Sequence, residues 1–200
     1  MHPRIPRQSA DDQDRRPQIA PDGDATLSAE LAAVVSGARR RALRDGDRQI
    51  DTAHLLHSLL DADAEACAVF EDEPQLPRLL GYLVQRSIGY GLRWQGTVED
   101  SGAVPVVTAD GTFGADSATA AAEGFSPLAA EAMEYAWVRA GHRDGGPARG
   151  VDLLAGILVD PGSRAVEVLA RAGIDADDVR VRLGDLMPGG LRGRPSHRDH

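Results

Sequence analysis

Residues 27–60 read LSAELAAVVSGARRRALRDGDRQIDTAHLLHSLL, and residues 125–158 read FSPLAAEAMEYAWVRAGHRDGGPARGVDLLAGIL. The two stretches align without a gap at an offset of 98 residues. Ser28, Ala32, Ala38, Arg41, Ala42, Leu55, Leu56 and Leu60 recur as Ser126, Ala130, Ala136, Arg139, Ala140, Leu153, Leu154 and Leu158. Other apolar positions recur in kind, as in Val34/Ala132, Val35/Met133 and Leu59/Ile157. Self-similarity at a fixed spacing marks two copies of one supersecondary unit.

That unit is helical. Ser28 suits an N-cap, with Glu30 facing the helix dipole in the first turn. Leu31, Val34, Val35, Ala38 and Ala42 follow at i, i+3, i+4, i+7 and i+11, the stripe of an amphipathic helix. Asp45-Gly46-Asp47 ends it, and Asp51 or Thr52 caps a second helix with Leu55, Leu56, Leu59 and Leu60 on one apolar face. A short helix over 64–70 and a fourth over 76–86 complete the first copy. In the second copy Ser126-Pro127 is an N-cap followed by a proline at the first helical position, where its missing N–H costs nothing. Ala129, Ala132, Met133, Ala136 and Ala140 form the matching stripe, and Val151, Leu153, Leu154, Ile157 and Leu158 the matching second helix. Gly173 stops a helix over 163–171, and Asp175 caps the last one. The expected fold is all-α: eight helices in two pseudo-twofold four-helix repeats.

The repeats set the domain limits. Residues 1–25 and 188–200 carry little to bury and read as disordered tails. The folded part is 26–187, with repeat one at 26–87, a central loop at 88–124 and repeat two at 125–187. Within that loop Val104–Thr108, the turn Ala109-Asp110-Gly111 and Thr112-Phe113 can form a small β-hairpin, with Pro105 confining the first strand to an edge. The alternative is a mobile loop.

Composition narrows the function. The formal net charge of -9 disfavours general nucleic-acid binding, because phosphate neutralisation dominates that affinity. All 22 basic residues are arginine. A Schiff-base lysine and a phosphate-loop lysine are therefore excluded. Cys67 is the single cysteine, which rules out an intrachain disulfide and a cysteine-cluster zinc site. The N-terminal stretch holds no apolar signal core, and no run approaches the ~20 apolar residues of a membrane span. A cytoplasmic protein without membrane partners is expected.

The two Ser-capped helices, with Thr52-Ala53-His54-Leu55-Leu56-His57-Ser58-Leu59-Leu60 and Gly150-Val151-Asp152-Leu153-Leu154-Ala155-Gly156-Ile157-Leu158 in register behind them, resemble the N-terminal domain of Clp-type AAA unfoldases. The ending Gly173-Ile174-Asp175 through Leu183 is similar too. The resemblance covers about 160 residues. It implies an all-α domain that recruits substrates and adaptors to an unfoldase ring. Because no GxxxxGK[ST] loop exists here, it implies a stand-alone N-domain lacking the ATPase modules. Some members of that family read phosphoarginine, using a capping Thr and a Glu in a Thr-Glu-His-Leu-Leu motif. The caps carry over as Ser28 and Ser126, but the Glu positions hold Ala53 and Val151. A guanidinium pocket without its carboxylate loses charge-assisted bonds worth roughly 1.5–3 kcal/mol each. This departure counts against phosphoarginine and favours a more apolar ligand.

The candidate ligand- or peptide-binding residues are therefore Ser28, Ala53, Ser126 and Val151, in a groove between the repeats, with Arg40 and Arg41 of the basic cluster beside them. Each has a plainer reading. Ser28 and Ser126 serve as N-caps; Arg40 and Arg41 belong to a solvated face paired with Asp45, Asp47 and Asp51. Arg41 recurs as Arg139 and reads as a packed arginine with an exposed head. His54, His57 and Asp61 have the spacing of a partial metal site. The second copy has Asp152 and Ala155 at the histidine positions, so no metal is expected. His54 is read as bonding backbone or a cap, His57 as solvated, and Cys67 as a buried filler. His54, Ser58 and Asp51 lack the oxyanion hole a hydrolase needs.

The expected function is non-enzymatic and cofactor-free. It is a module that binds protein segments, Clp unfoldase subunits or adaptors and modulates Clp-dependent proteolysis. A helical regulatory or decoy scaffold unrelated to proteolysis is the alternative. A small hydrolase using His54 or Asp152 is the third reading.

Overall fold

The computed structural model describes residues 27–70, 74–87, 99 and 124–185. The two tails and the hairpin at 104–113 lie outside the described residues. Among those described, the chain is helical, in the order α1 (Ala29–Asp45), α2 (Thr52–Ala62), α3 (Ala64–Ala68), α4 (Leu76–Ser87), α5 (Pro127–Arg143), α6 (Gly150–Ile157), α7 (Arg164–Ala172) and α8 (Ala176–Asp185). The sequence's caps hold. Ser28 Oγ accepts from Leu31 N–H at 3.1 Å and Ser126 Oγ from Ala129 N–H at 3.2 Å. Gly46 and Gly173 end α1 and α7 in the left-handed conformation, at φ 75° and 86°, which glycine adopts without a Cβ penalty.

The pseudo-twofold is visible in the backbone. Leu27 forms an isolated parallel bridge with Ala148, and Ile50 forms one with Phe125. Shifting both members of one bridge by the repeat offset generates the other. The chain entering the first helix of each repeat is therefore paired with the chain entering the second helix of the opposite repeat. Ser28 N–H donates to Ala148 O at 2.9 Å, and Ser126 N–H donates to Ile50 O at 2.8 Å.

α1 packs on α2 and α5 on α6, while α2 and α6 meet at the centre, α3 lies on α6 and α7 lies on α2. The central pair departs from the amphipathic expectation. Every residue from Asp51 to Leu60 and from Gly150 to Leu158 is buried. These helices are covered on all sides by their own repeat and by the other. Burying each leucine among them contributes about 1.5–3 kcal/mol. The same covering encloses Thr52, His54, His57, Ser58 and Asp152, so His57 is not a solvated residue. Burial disfavours its charged form, Arg41 adds to the effect, and the ring's pKa falls to about 4.

Close approach of α5 and α6 depends on Gly156. A Cβ there would stand 2.5 Å from Ala132 O. In repeat one the small residue sits on the other partner: Gly37 of α1 faces Ser58 of α2, where a Cβ would meet Ser58 Oγ at 3.2 Å. Cys67 is only partly buried, which corrects the buried-filler reading.

Candidate functional site

Helices buried on all sides place polar side chains in the interior, where each must find partners. At the start of α2, Asp51 Oδ1 accepts from His54 N–H at 2.9 Å. His54 reaches back to its cap: its Nδ1 lies 2.8 Å from Asp51 Oδ1 and 3.1 Å from Asp51 N. A charged ring gives its Nδ1 proton to the carboxylate; a neutral ring protonated on Nε2 accepts the cap N–H. The far side of the ring faces two more carboxylates. Nε2 lies 3.2 Å from Asp47 Oδ2 and 3.6 Å from Asp45 Oδ2. His54 is 1 % exposed. Burial alone would depress its pKa. Asp51, Asp45 and Asp47 more than offset burial and push it up to about 10. The ring is thus an imidazolium enclosed by three aspartates.

The remaining oxygen of Asp51 faces repeat two. Arg164 Nη1 at the start of α7 donates to Asp51 Oδ2 at 2.7 Å. Thr52 Oγ1 accepts from Ala165 N–H at 3.1 Å, and Thr52 N–H donates to Glu99 Oε1 at 3.2 Å. Arg164 Nε lies 3.5 Å from Glu99 Oε2. Burial and the nearby Asp51 push Glu99 up to about 7, against the opposing pull of Thr52 and Arg164. Asp45 and Asp51 thus serve His54 and Arg164 rather than only the α1 arginines, although Arg44 Nε does lie 3.5 Å from Asp45 Oδ1.

The corresponding place in repeat two carries the opposite charges. Asp152 stands where His54 stands, Arg143 where Asp45 stands, and Arg149 where Asp51 stands. Asp152 is fully buried. Its Oδ2 accepts from Arg149 N–H at 3.0 Å and from Arg143 Nη1, and Arg139 Nε lies 3.4 Å from its Oδ1. Burial, which works against the charged guanidinium of Arg143, is outweighed by Asp152 and then Asp144, so its pKa is raised.

Of the residues singled out from sequence, Ser28 and Ser126 are engaged as caps and lie beside the opposite repeat's second-helix start. Ala53 and Val151 are 0 % and 1 % exposed. They lie beneath the surface rather than lining an open groove. Arg40 is exposed. Arg41 is a packed arginine: its Nη1 donates to Ser58 Oγ at 3.1 Å and its Nη2 pairs with Asp61. Ser58 is held by that arginine and the imidazole by aspartates, so the Asp51, His54 and Ser58 side chains do not form a relay.

A cleft of about 260 Å³ opens between α5 and the α6–α7 turn, with Thr52 at its repeat-one edge. Leu128, Tyr135, Ile157, Val159 and Pro161 supply apolar wall, and Glu131 and Asp160 supply acidic groups. Tyr135 and Val159, with Val138 one turn along α5, are exposed large apolar residues. The cleft has no signature in the sequence, because its wall comes from the outer face of α5 and a turn that periodicity leaves unassigned.

No family model matches the sequence, and no curated protein is similar to it by sequence. Solved structures do share its fold. A chain from a malarial protein secretion system superposes with a TM-score of 0.53 at 12% identity, covering 83% of this chain and 97% of that one. The Hsp104 N-terminal domain from Candida albicans gives 0.52 at 12% identity, over 80% of this chain and 91% of its own. The N-terminal domain of the caseinolytic protease associated chaperone ClpD from Arabidopsis thaliana gives 0.48 at 14% identity, over 78% and 91%. The likeness to the Hsp104 domain carries the conclusion: the chain has the all-α fold of a Clp-type N-terminal domain.

Proposed function

We propose that this Clp N-domain-like fold serves as a non-enzymatic protein-binding module, which takes protein segments or adaptors and modulates proteolysis by a Clp unfoldase. The observation that carries the reading is the cleft beside Tyr135 and Val159. At about 260 Å³ it falls below the ~300–1,000 Å³ of a small-molecule site, and it is open and apolar-walled. Such a shape accepts one anchoring side chain of a protein segment, with Tyr135, Val138 and Val159 extending apolar contact along the surface. Glu131 and Asp160 favour a segment whose flanks are basic. Ser28, Ser126, Ala53 and Val151 then act as the frame that fixes the repeats, and Arg40 and Arg41 lie on the separate face of α1.

The test places a photo-cross-linking residue at position 135 of the full chain in its native cells. Cross-links to Clp ring subunits, their adaptors or their substrates, lost on Val159→Asp, are the expected result. Cross-links only to proteins outside that system would support the decoy-scaffold alternative and overturn the proposal. Cross-links unaffected by Val159→Asp would remove the cleft from it.

A further inference from the structure

We propose that Asp45, Asp47 and His54 form a binding site for a divalent transition cation of the zinc class, which pins the end of α1 to the start of α2. This proposal is independent of the protein-binding reading. The three side chains each offer one donor atom, and those atoms lie within 4.8 Å of one another. His54 Nε2 is buried and makes no well-aligned hydrogen bond, although it faces two carboxylates 3.2 and 3.6 Å away; without metal the Nε2 proton sits between them, and the incoming ion takes that place and releases the proton to solvent. Those separations match a tetrahedral centre: bonds of about 2.0–2.1 Å place neighbouring donors about 3.3 Å apart. The two contacts are therefore spaced as ligands of one ion.

The opposite side of the ring completes the case. A metal at Nε2 requires the imidazole proton on Nδ1, held by an acceptor that fixes the ring. Asp51 Oδ1 lies 2.8 Å from Nδ1, and Arg164 fixes that carboxylate through its Oδ2. The carboxylate–imidazole arrangement of a ligating histidine is thus already built. One imidazole with two carboxylates is a mixed nitrogen and oxygen set, which suits zinc or manganese better than the all-oxygen cations. Asp47, 41% exposed, gives solvent access, while Asp45 and His54 are enclosed. The donors come from the turn Asp45-Gly46-Asp47 and from the third residue of α2, so an ion there closes the α1–α2 hairpin. Repeat two has Arg143, Gly145 and Asp152 at the three positions and offers no counterpart.

The experiment titrates the full chain, stripped with chelator and dialysed, with zinc chloride by calorimetry. Imidazole nitrogen NMR reads which histidine responds. The expected result is saturable binding of one zinc per chain with a shift at His54. Asp47→Ala should weaken the affinity by at least about 10-fold, the scale on which even outer-shell partners act. Asp47 is partly exposed and is one of three carboxylates around His54, so this variant should fold, with only a small drop in melting temperature in chelator from the lost pair. A second variant, His197→Ala with His200→Ala, removes the tail histidines and should leave binding unchanged. Absence of saturable binding, unchanged affinity in Asp47→Ala, or loss of binding in the tail variant would each overturn the proposal.

Discussion

The starts of α2 and α6 occupy equivalent places in the two repeats and solve one backbone problem with opposite charges. In both, the third helical residue is buried and reaches back to the cap residue, as an N-terminal capping arrangement requires. In repeat one that residue is His54, and the charges around it are Asp45, Asp47 and Asp51. In repeat two it is Asp152, the charges around it are Arg139 and Arg143, and the Arg149 backbone N–H donates to it. A buried charge is tolerable only when paired, so exchanging the central residue requires exchanging its surroundings. The repeat conserves the geometry and the need for neutralisation, not the sign. The consequence is functional asymmetry: one end can exchange its proton or hold a metal, while the other is locked by guanidinium groups that keep their charge.

The largest way to break this comparison is Asp152→Ala. It removes the buried carboxylate between Arg139 and Arg143, with Arg143 still held by Asp144, and should lower unfolding stability toward the low end of about 3–5 kcal/mol, the scale for removing one partner of a buried pair. Urea denaturation measures it, and a loss below about 1 kcal/mol would mean that the arginines find other partners at no cost.

The second test uses pH in chelator, so that only protons compete for His54. Its folded pKa of about 10 lies above the ordinary 6.5. Its contribution is therefore complete below pH 6.5 and is lost as pH rises through 10, so stability should fall across that window. Glu99, raised from 4.5 to about 7, gives a fall at lower pH. His57, lowered to about 4, gives a rise between pH 4 and 6.5 and nothing above. His54→Gln should flatten the profile above pH 7, whereas a slope that persists there would relocate the titrating group.

Gly156→Ala probes helix spacing and should cost about 1–3 kcal/mol, because the new methyl meets a carbonyl oxygen that cannot rotate away. Gly37→Ala should cost less, because its nearest neighbour is the Ser58 side chain, which can move. Equal melting temperatures for these two variants would contradict the difference in spacing. The caps come next: Ser126→Ala and Ser28→Ala should each cost about 1 kcal/mol, with the buried Ser126 the costlier. Arg40→Ala is the smallest expected effect, within about 0.5 kcal/mol as for other exposed positions, by thermal melting.

Much of the fold was legible because it rests on local patterns. The stripe from Leu31 to Ala42, the caps at Ser28 and Ser126, the proline after Ser126, and Gly46 and Gly173 are short-range signals with fixed physical meanings. The burial of His57 was not legible, because α2 takes its covering from both repeats and one helix's periodicity reports only its own faces. Nor did spacing along the chain reveal the His54 cluster. His54 pairs in sequence with His57 and Asp61, but in space its neighbours are Asp45, Asp47 and Asp51. A comparison of charges at the repeat offset would have exposed it, since Asp45/Arg143, Asp51/Arg149 and His54/Asp152 all invert together.

The sequence by itself determined that two copies of one helical unit exist, where their helices begin and end, and that leucine and alanine pack them. These follow from hydrophobic period and capping chemistry, which act over a few residues. Only the tertiary structure decided that the repeats interlock through paired entry segments at Ser28 and Ser126, and that the central helices are enclosed on every side. It also decided which carboxylates surround His54 and which cleft stays open beside Tyr135. Those outcomes depend on how much water each side chain retains once both repeats have docked, a property of the assembled surface and not of any local pattern.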